Sequence, residues 1–385
     1  MSLPLPRWAH QPLVRYFAEA RRRGADGPVV SGHHNLNLIA PLGQPLACLL
    51  GVGSGRVRAK FRTPYPTVEV VPRIWPREAE VLRVVSARVA EAPRCLADFG
   101  EWSLHDYLEG RALSEVAPEG QPVGSGRLAA LAAFFARLAE VPADELPPRP
   151  ADWPGDRDSR GFLDWLARFT ERDVHQSNRP RFGDLFDAVG VPEDAVDRFL
   201  RTVPPMTPRR FALLHTDVHR ANVVVVAGAA GERLVVIDWE LALYGDPLHD
   251  LATHLGRMDY DKAEHELMVR MWADAMRHAG YPDATAGMDT DLPVYLGFEY
   301  AQSVFPDVMR AALALPDRPD EHHFGGAAAR VHRALSRASE PLGLVDGPKD
   351  EQEIADVLRR WHAADRARAG VDGRAGAHVR AGGAA

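Results

Sequence analysis

The chain has few of the features that mark secreted, membrane-spanning or nucleic-acid-binding proteins. Its 385 residues include only two cysteines, Cys48 and Cys95, which excludes a disulfide framework and a cysteine-based zinc cluster. No apolar run reaches the roughly 18 residues of a membrane helix, and the N-terminus lacks the apolar core of a signal peptide. A formal net charge of -7 argues against binding to nucleic acid. These absences favour a globular protein of the cytoplasm that binds neither nucleic acid nor membrane.

Lysine is scarce as well. Lys60, Lys262 and Lys349 are the only lysines, and arginine supplies the other 43 of the 46 basic residues. A chain that uses arginine so consistently is expected to keep a lysine where a compact ammonium group is required. Lys60 lies in the predicted strand 57–61 and is therefore a candidate functional residue.

The pattern of extended segments and helices divides the chain into two parts. Residues 1–110 contain short strands and one helix, as in a small sheet-based lobe. Residues 111–366 are mainly helical but include an apolar hairpin with strands at 223–226 and 234–237. The Gly/Ala/Arg-rich end, 367–385, is predicted to be a disordered tail. The fold class predicted from this pattern is α+β.

Polar residues with catalytic potential lie just before this hairpin and at its end. Asp217 and Asn222 are five residues apart on a short loop, and Asp238 follows the second apolar strand. One aspartate can accept a proton from an attacking hydroxyl while the other and the amide hold Mg²⁺ on nucleotide phosphates. Each piece alone also fits a chance match or a turn residue, but their order around the hairpin favours a site.

The segment HTDVHRAN resembles the catalytic loop of the aminoglycoside phosphotransferase and choline-kinase-like enzymes, which share the two-lobe protein-kinase fold. The resemblance implies that Asp217 is the catalytic base, that Asn222 and Asp238 are magnesium ligands, and that His215 supports the loop. The downstream segment GDPLHDLA is similar to a second motif of that family. There Asp250 would brace the catalytic loop through hydrogen bonds, or would act only as a helix N-cap.

The same resemblance predicts the nucleotide-binding residues of the N-terminal lobe. Such a lobe needs a lysine on the third strand and a glutamate on the following helix, which Lys60 and Glu78 match. Glu80 is the alternative partner if the helix is rotated, and Lys60 could also be an ordinary surface lysine. Gly32 and Asn35 belong to the loop SGHHN, which would cover the phosphates with a single glycine. Which residues contact the β-phosphate is left open.

Three further sets of residues have both a functional and a purely structural interpretation. Residues 105–111 resemble the hinge that reads the purine edge in this family, or form a plain edge strand. His219 could contact the transferring phosphoryl group or face solvent. A polar and aromatic set on a predicted helix, 298–307, could line an acceptor pocket or belong to the core.

The resemblance implies an enzyme that transfers a phosphoryl group from ATP or GTP, with Mg²⁺, to a hydroxyl. The expected acceptor is a small molecule, of the antibiotic-like or secondary-metabolite kind. One alternative is a Ser/Thr kinase that modifies a peptide together with a partner protein. Another is a non-catalytic pseudokinase, but the residues that catalysis would need are intact, namely Asp217, Asn222, Asp238 and Lys60. Nothing in the sequence identifies the acceptor, the preferred nucleotide or the oligomeric state.

Overall fold

The structure, a computed structural model, describes residues 7–24, 26–31, 35–53, 57–64, 70–228, 231–344 and 347–381. The chain forms two compact units. The first consists of residues 1–68, 73–157 and 209–286, and the second of residues 69–72, 158–208 and 287–385. Within the described ranges, no helix is long and apolar enough to cross a membrane.

The first unit contains every strand of the described part of the chain, joined by short helices. The strands are β1 (Val29–Ser31), β2 (Asn35–Pro41), β3 (Arg58–Pro64), β4 (Cys95–Asp98), β5 (Ser103–Asp106), β6 (Arg111–Ala112), β7 (Ala212–Leu214), β8 (Val223–Gly228), β9 (Gly231–Val236) and β10 (Leu243–Gly245). Its helices are α1 (Arg7–Gly24), α2 (Gln44–Leu49), α3 (Glu78–Val85), α4 (Leu113–Val116), α5 (Ser125–Ala139), α9 (Pro247–Met258) and α10 (Lys262–His278).

The second unit is helical. It contains α6 (Ser159–Phe169), α7 (Ser177–Val189), α8 (Ala195–Thr202), α11 (Met288–Leu313), α12 (Glu321–Ala338) and α13 (Glu351–Ala381). A π-helical segment, Thr170–Gln176, joins α6 to α7. Helix α13 covers most of the range predicted to be a disordered tail, and its alanine and arginine content is compatible with a helix because both residues have high helix propensity.

The N-terminal sheet is antiparallel, with strand order β1-β2-β3-β5-β4. Alternation along β3 separates two faces, because successive side chains of a strand point to opposite sides. Ala59 and Phe61 pack in an apolar core with residues from α1 and α2, whereas Lys60 and Arg62 occupy the other face. One face of β3 is therefore structural, and the opposite face carries three cations, Arg58, Lys60 and Arg62.

The predicted apolar hairpin is confirmed. Strands β8 and β9 pair in register from Val223 with Val236 to Gly228 with Gly231, and the two residues between them lie outside the described part of the chain. A backbone hydrogen bond from Ile237 N–H to Asn222 O, at 2.9 Å, ties the end of the hairpin to the loop before it. The hairpin thus delivers Asp238 next to that loop.

Candidate active site

The loop between β7 and β8 is held in place by Asp250 of α9. Its carboxylate accepts the backbone N–H of His215 at 2.8 Å and that of Thr216 at 2.7 Å. The N-cap of α9 is a different residue, Asp246, which accepts the N–H of Leu248 at 3.0 Å. The interpretation of Asp250 as a brace of the loop is therefore confirmed, and its interpretation as an N-cap is wrong.

Asp217 is the carboxylate that this loop presents. Asn222 donates its Nδ2 to Asp217 Oδ2 at 2.8 Å, and the guanidinium of Arg257 on α9 forms an ion pair with Oδ1. Burial by itself raises the pKa of Asp217, but Arg257 and His219, whose Nε2 lies 3.6 Å from Oδ1, hold that pKa below its ordinary range. Asp217 is thus a carboxylate that stays ionised through the neutral and mildly acidic range.

His215 lies beneath this carboxylate and is fully buried. Its Nδ1 accepts the backbone N–H of Asp217 at 3.3 Å, and its ring packs edge-to-face on Trp239 with centroids 4.6 Å apart. Burial lowers the pKa of His215 to about 4, against smaller opposing effects from nearby carboxylates. A neutral imidazole with these contacts fits the predicted support role.

Asp238, at the end of the hairpin, adopts a left-handed backbone conformation with φ of 71°. A non-glycine residue in this region carries backbone strain, and such strain concentrates at functional sites. Its Oδ1 accepts a hydrogen bond from Arg62 at 2.6 Å. Although burial raises the pKa of Asp238, Arg62 and Lys60 lower it overall.

The predicted ion pair between Lys60 and Glu78 is formed by Arg62 instead. Arg62 Nε lies 2.8 Å from Glu78 Oε2, and its Nη2 lies 2.6 Å from Asp238 Oδ1 and 3.0 Å from Glu240 Oε2. The planar guanidinium has five N–H donors and here bridges three carboxylates. Arg62 is 3% exposed and lies within the site.

Glu78 is the glutamate of α3 that faces the site, as predicted. Besides its ion pair with Arg62, its Oε1 accepts the backbone N–H of Trp239 at 2.8 Å. The alternative, Glu80, forms an ion pair with Arg77 at the surface. Glu78 therefore joins α3 to the segment that follows Asp238.

Lys60 shares the sheet face with Arg62 but has a different environment. Within the described ranges it has no carboxylate at ion-pair distance. Its ammonium is close enough to Glu78, Asp238 and Glu240 for electrostatic coupling, while burial and the neighbouring Arg62 lower its pKa. Lys60 is thus a cation that the described residues leave without a direct counter-ion.

The predicted phosphate-covering loop is only partly described. Gly32 lies outside the described residues. Asn35 begins β2 and is buried, and its Nδ2 donates to Glu240 Oε2 at 2.5 Å. Burial and the adjacent Asp238 raise the pKa of Glu240, whereas Arg62 opposes that shift. Asn35 therefore contacts Glu240, one of the three carboxylates that Arg62 bridges.

The side-chain oxygens of Asn222 and Asp238 are suitable ligands for a magnesium ion. Asn222 donates through Nδ2, so its Oδ1 is available as a ligand, and Asp238 uses Oδ1 for Arg62, which leaves Oδ2. Carboxylate and amide oxygens in small number are what Mg²⁺ takes when phosphates and water complete its octahedron. Asn222 and Asp238 are the residues that would hold it.

Among the remaining candidates, His105, Phe298 and Glu299 are buried. His105 is buried on β5, with its Nε2 2.8 Å from Ser103 Oγ, and the ring of Tyr107 stacks under the guanidinium of Arg58 at 4.5 Å. On α11, Phe298 and Glu299 are buried, in agreement with the core interpretation of these two positions.

The sequence analysis did not predict two residues of the site, Arg62 and Arg257, although the sequence position of each could have indicated it. Arg62 lies two positions from Lys60 and so shares its strand face. Arg257 follows Asp250 by seven residues, which places it on the same face of a helix.

Comparisons with known proteins agree with the geometry. The model of the phosphotransferase enzyme family (APH) matches residues 49–287, more than half of the chain. A comparison with curated protein sequences finds no significant match. The fold and the site thus define a phosphotransferase, an enzyme of the kinase-like α+β class. The chain belongs to the phosphotransferase enzyme family.

Solved structures share the fold at low sequence identity. An ethanolamine kinase from Plasmodium vivax is 11% identical over 85% of this chain and 88% of its own, with a TM-score of 0.50. A Ralstonia eutropha protein provisionally named an aminoglycoside phosphotransferase is 15% identical over 87% and 99%, with a TM-score of 0.51. The gentamicin complex of APH(2'')-IIa is 12% identical over 92% and 99%, with a TM-score of 0.50.

Proposed function

We propose that this enzyme transfers the γ-phosphoryl group of ATP or GTP, with Mg²⁺, to a hydroxyl group of a small molecule. The observation that carries the proposal is the carboxylate of Asp217, presented on a loop fixed by Asp250 and adjoining both Asn222 and the hairpin that delivers Asp238. A phosphoryl transfer needs this arrangement of positioned base and metal ligands rather than covalent chemistry by the protein.

Asp217 orients the acceptor in the proposed reaction. Each of its oxygens already accepts one hydrogen bond, which leaves lone pairs for the acceptor hydroxyl. The acceptor oxygen forms its bond to the γ-phosphorus while the bond to the bridging oxygen breaks, and the nucleoside diphosphate leaves. The hydroxyl proton passes to Asp217. Because Arg257 and His219 keep the pKa of Asp217 low, this transfer comes late, when the oxygen–phosphorus bond is well advanced.

Magnesium, held by Asn222 and Asp238, would neutralise charge on the phosphate oxygens. Arg62 keeps Asp238 and Glu78 in fixed positions for this purpose, and Lys60 faces the same region. The names of the solved relatives support a small acceptor, since they include an ethanolamine kinase and a complex with gentamicin. We place the acceptor in the class of antibiotic-like or secondary metabolites. Peptide phosphorylation with a partner protein receives no support from these relatives.

The first test is calorimetric titration of the purified enzyme with ATP and with GTP, each with and without Mg²⁺. We expect magnesium-dependent binding of at least one nucleotide, followed by turnover with one member of a panel of hydroxyl-bearing amines, aminoglycosides and macrolides. Absence of binding for both nucleotides would contradict the proposal.

Asp217→Asn tests the role of the base. The variant should bind nucleotide within about twofold of the wild type and lose at least about a hundredfold in kcat, because an amide cannot take the proton. Asp274→Asn, at an exposed position of α10, is the matched control and should leave both quantities unchanged. Wild-type turnover in Asp217→Asn would remove Asp217 from the reaction.

A further inference from the structure

A cavity of about 480 Å³ lies in the first unit, between the proline-rich segment 143–156 and strand β10. Its walls include a cation, a carboxylate, two aromatic rings and two prolines, namely Arg149, Asp156, Trp153, Tyr244, Pro150 and Pro154. Small-molecule sites enclose roughly 300 to 1,000 Å³. The cavity is thus large enough for a ligand, and Asp217, Asn222 and Asp238 are not among the residues that line it.

Hydrogen bonds from this segment to two strands hold the walls in place. Trp153 Nε1 donates to the carbonyl of Tyr244 on β10 at 2.8 Å, and Asp156 Oδ1 accepts the N–H of Phe211, just before β7, at 2.7 Å. The two strands pair with each other, with Tyr244 opposite Leu213. Because the walls are fixed by these contacts, little conformational freedom is lost when a ligand enters.

Arg149 presents a positive charge at this cavity. Its Cζ lies 4.5 Å from the centroid of the Tyr244 ring, and its guanidinium donates a hydrogen bond to the hydroxyl of that residue. Among the residues that the structure describes, no carboxylate lies within 4.0 Å of this guanidinium. A guanidinium has five N–H donors in one plane, so stacking and one hydrogen bond leave donors for a carboxylate or a phosphate. Arg149 therefore has the charge and the geometry to bind an oxyanion.

The hydroxyl of Tyr244 is a second donor at the same place. Burial and then Asp156 raise the pKa of Tyr244, against smaller opposing effects from Arg149 and Arg210, whose guanidinium stacks on Tyr281 at 4.1 Å. The phenol thus stays protonated at neutral pH, so it can accept from Arg149 and donate to an anion. The charged groups that act on this phenol are two guanidiniums and one carboxylate, which gives an excess of positive charge.

We propose that this cavity is a second ligand site, which binds a small organic oxyanion, a phosphate ester or a carboxylate, attached to a flat ring. Arg149 and the hydroxyl of Tyr244 bind the oxyanion, and the ring packs on Trp153 and the two prolines. The site does not depend on the proposed phosphoryl transfer, because none of these residues has a part in that reaction.

Calorimetric titration of the purified enzyme tests the proposal with phenyl phosphate, benzoate and benzyl alcohol. We expect saturable binding of at least one of the two anions, with a Kd below about 1 mM. Comparison of phenyl phosphate with benzoate shows whether a phosphate ester or a carboxylate is preferred. Benzyl alcohol has the ring without the charge and should show no saturable binding up to about 20 mM.

Variants then place the bound anion. In Arg149→Gln the affinity for the better anion should fall at least about tenfold, because a charge-assisted hydrogen bond is lost. Tyr244→Phe keeps the ring without the hydroxyl and should weaken binding about three- to tenfold. Arg149 is exposed, so the urea midpoint of Arg149→Gln should equal that of the wild type. Arg270→Gln, exposed on α10, is the matched control and should bind the anion as the wild type does.

Two results would overturn the proposal. One is the absence of binding of both phenyl phosphate and benzoate to the wild type. The other is wild-type anion affinity in Arg149→Gln; if Lys60→Met weakens binding instead, the anion occupies the proposed phosphoryl-transfer site. Arg149→Gln should bind ATP or GTP as the wild type does, so neither result bears on the proposed function.

Discussion

At the scale of single residues, the site is defined by how its charges are compensated. Asp217 is paired with Arg257 and Asp238 with Arg62, whereas Lys60 has no ion-pair partner among the described residues. The proposed base, Asp217, is therefore weaker than a free aspartate, and the carboxylate of Asp238, the proposed metal ligand, is oriented by Arg62. Both properties suit a reaction in which positioning and electrostatics supply most of the rate enhancement.

Replacing Arg257 should change the pH dependence of the reaction. With the guanidinium removed in Arg257→Gln, burial becomes the main influence on Asp217, so its pKa rises. The ionised form is the active one. The acid limb of kcat/KM should therefore lie below pH about 4 in the wild type and move upward in the variant. In a pH–rate profile from pH 4.5 to 8, the wild type should show no acid limb from Asp217, whereas Arg257→Gln should show one.

Arg270→Gln, on the exposed face of α10, controls for the loss of one positive charge. Its profile should match that of the wild type. If Arg257→Gln also keeps the wild-type profile, the ion pair does not set the pKa of the base.

The sequence predicted the candidate site residues that lie close together along the chain. It did not predict the ion pair between Arg62 and Glu78, which come from different elements. Asp217, Asn222 and Asp238 lie close in sequence, so a motif and a hairpin were enough to bring them together. The cation that forms an ion pair with Glu78 could not be predicted from proximity along the chain. Lys60 and Arg62 share a strand face, and only the position of α3 relative to the strand decides which one reaches the glutamate.

At the scale of elements, helix α9 aligns the catalytic loop through one face. Asp250, His254 and Arg257 follow one another at spacings of four and three residues, which places them on one side of the helix. Asp250 accepts from the start of the loop, His254 Nδ1 lies 2.8 Å from Val218 O, and Arg257 pairs with Asp217. The helix therefore contacts the loop at three successive places. The resemblance of GDPLHDLA to the family motif predicted the contact of Asp250 with the loop, but not those of His254 and Arg257.

The buried histidines of this region should make stability depend on pH. Burial lowers the pKa of His215 and His254 to about 4 in the folded chain, from 6.5 in the unfolded one. The folded state thus binds fewer protons, and its stability is lost as the pH falls from about 6.5 toward 4. His254 donates from Nδ1 to Val218 O and accepts the hydroxyl of Tyr260 at Nε2, 3.0 Å away.

In His254→Gln, an amide can make both hydrogen bonds without titrating. The decrease in unfolding free energy between pH 7.5 and 5 should then be smaller than in the wild type by on the order of 2 kcal/mol. Urea denaturation at both pH values measures it, with the exposed His322→Gln as control. Equal decreases in His254→Gln and the wild type would show that His254 is not held neutral.

At the scale of the whole molecule, the described helices and strands agree broadly with the sequence pattern. Apolar periodicity over 262–278 and over 128–141 predicts a helix in each range, and α10 and α5 lie close to these bounds. The π-helical segment Thr170–Gln176 could not be predicted, because its extra residue per turn depends on packing within the second unit. There the ring of His175 stacks on Phe305 with centroids 4.6 Å apart.

One fully buried ion pair connects distant parts of the first unit. Arg209, just before β7, contacts Asp246 at 2.8 to 3.0 Å and the carbonyl of Ala286 at 2.7 Å, and both side chains of the pair are 0% exposed. Arg209→Met should lower the unfolding free energy by about 3 to 5 kcal/mol, because it leaves a buried carboxylate without its cation.

The double variant Arg209→Met/Asp246→Asn should be more stable than Arg209→Met alone. The asparagine oxygen can still accept from Leu248 N–H at the start of α9, and no uncompensated charge remains. Urea denaturation of both variants gives the comparison. A double variant less stable than Arg209→Met would show that the ion pair is not the source of the loss.

The attachment of Glu78 has a consequence for inhibitor discovery. Displacing α3 outward would break the ion pair with Arg62 and the hydrogen bond from Trp239 N–H together, so both interactions oppose the displacement. Compounds selected to bind the enzyme with α3 displaced would lose affinity, because their binding would have to break both interactions. Screening against this enzyme should therefore favour ligands that fit the assembled site.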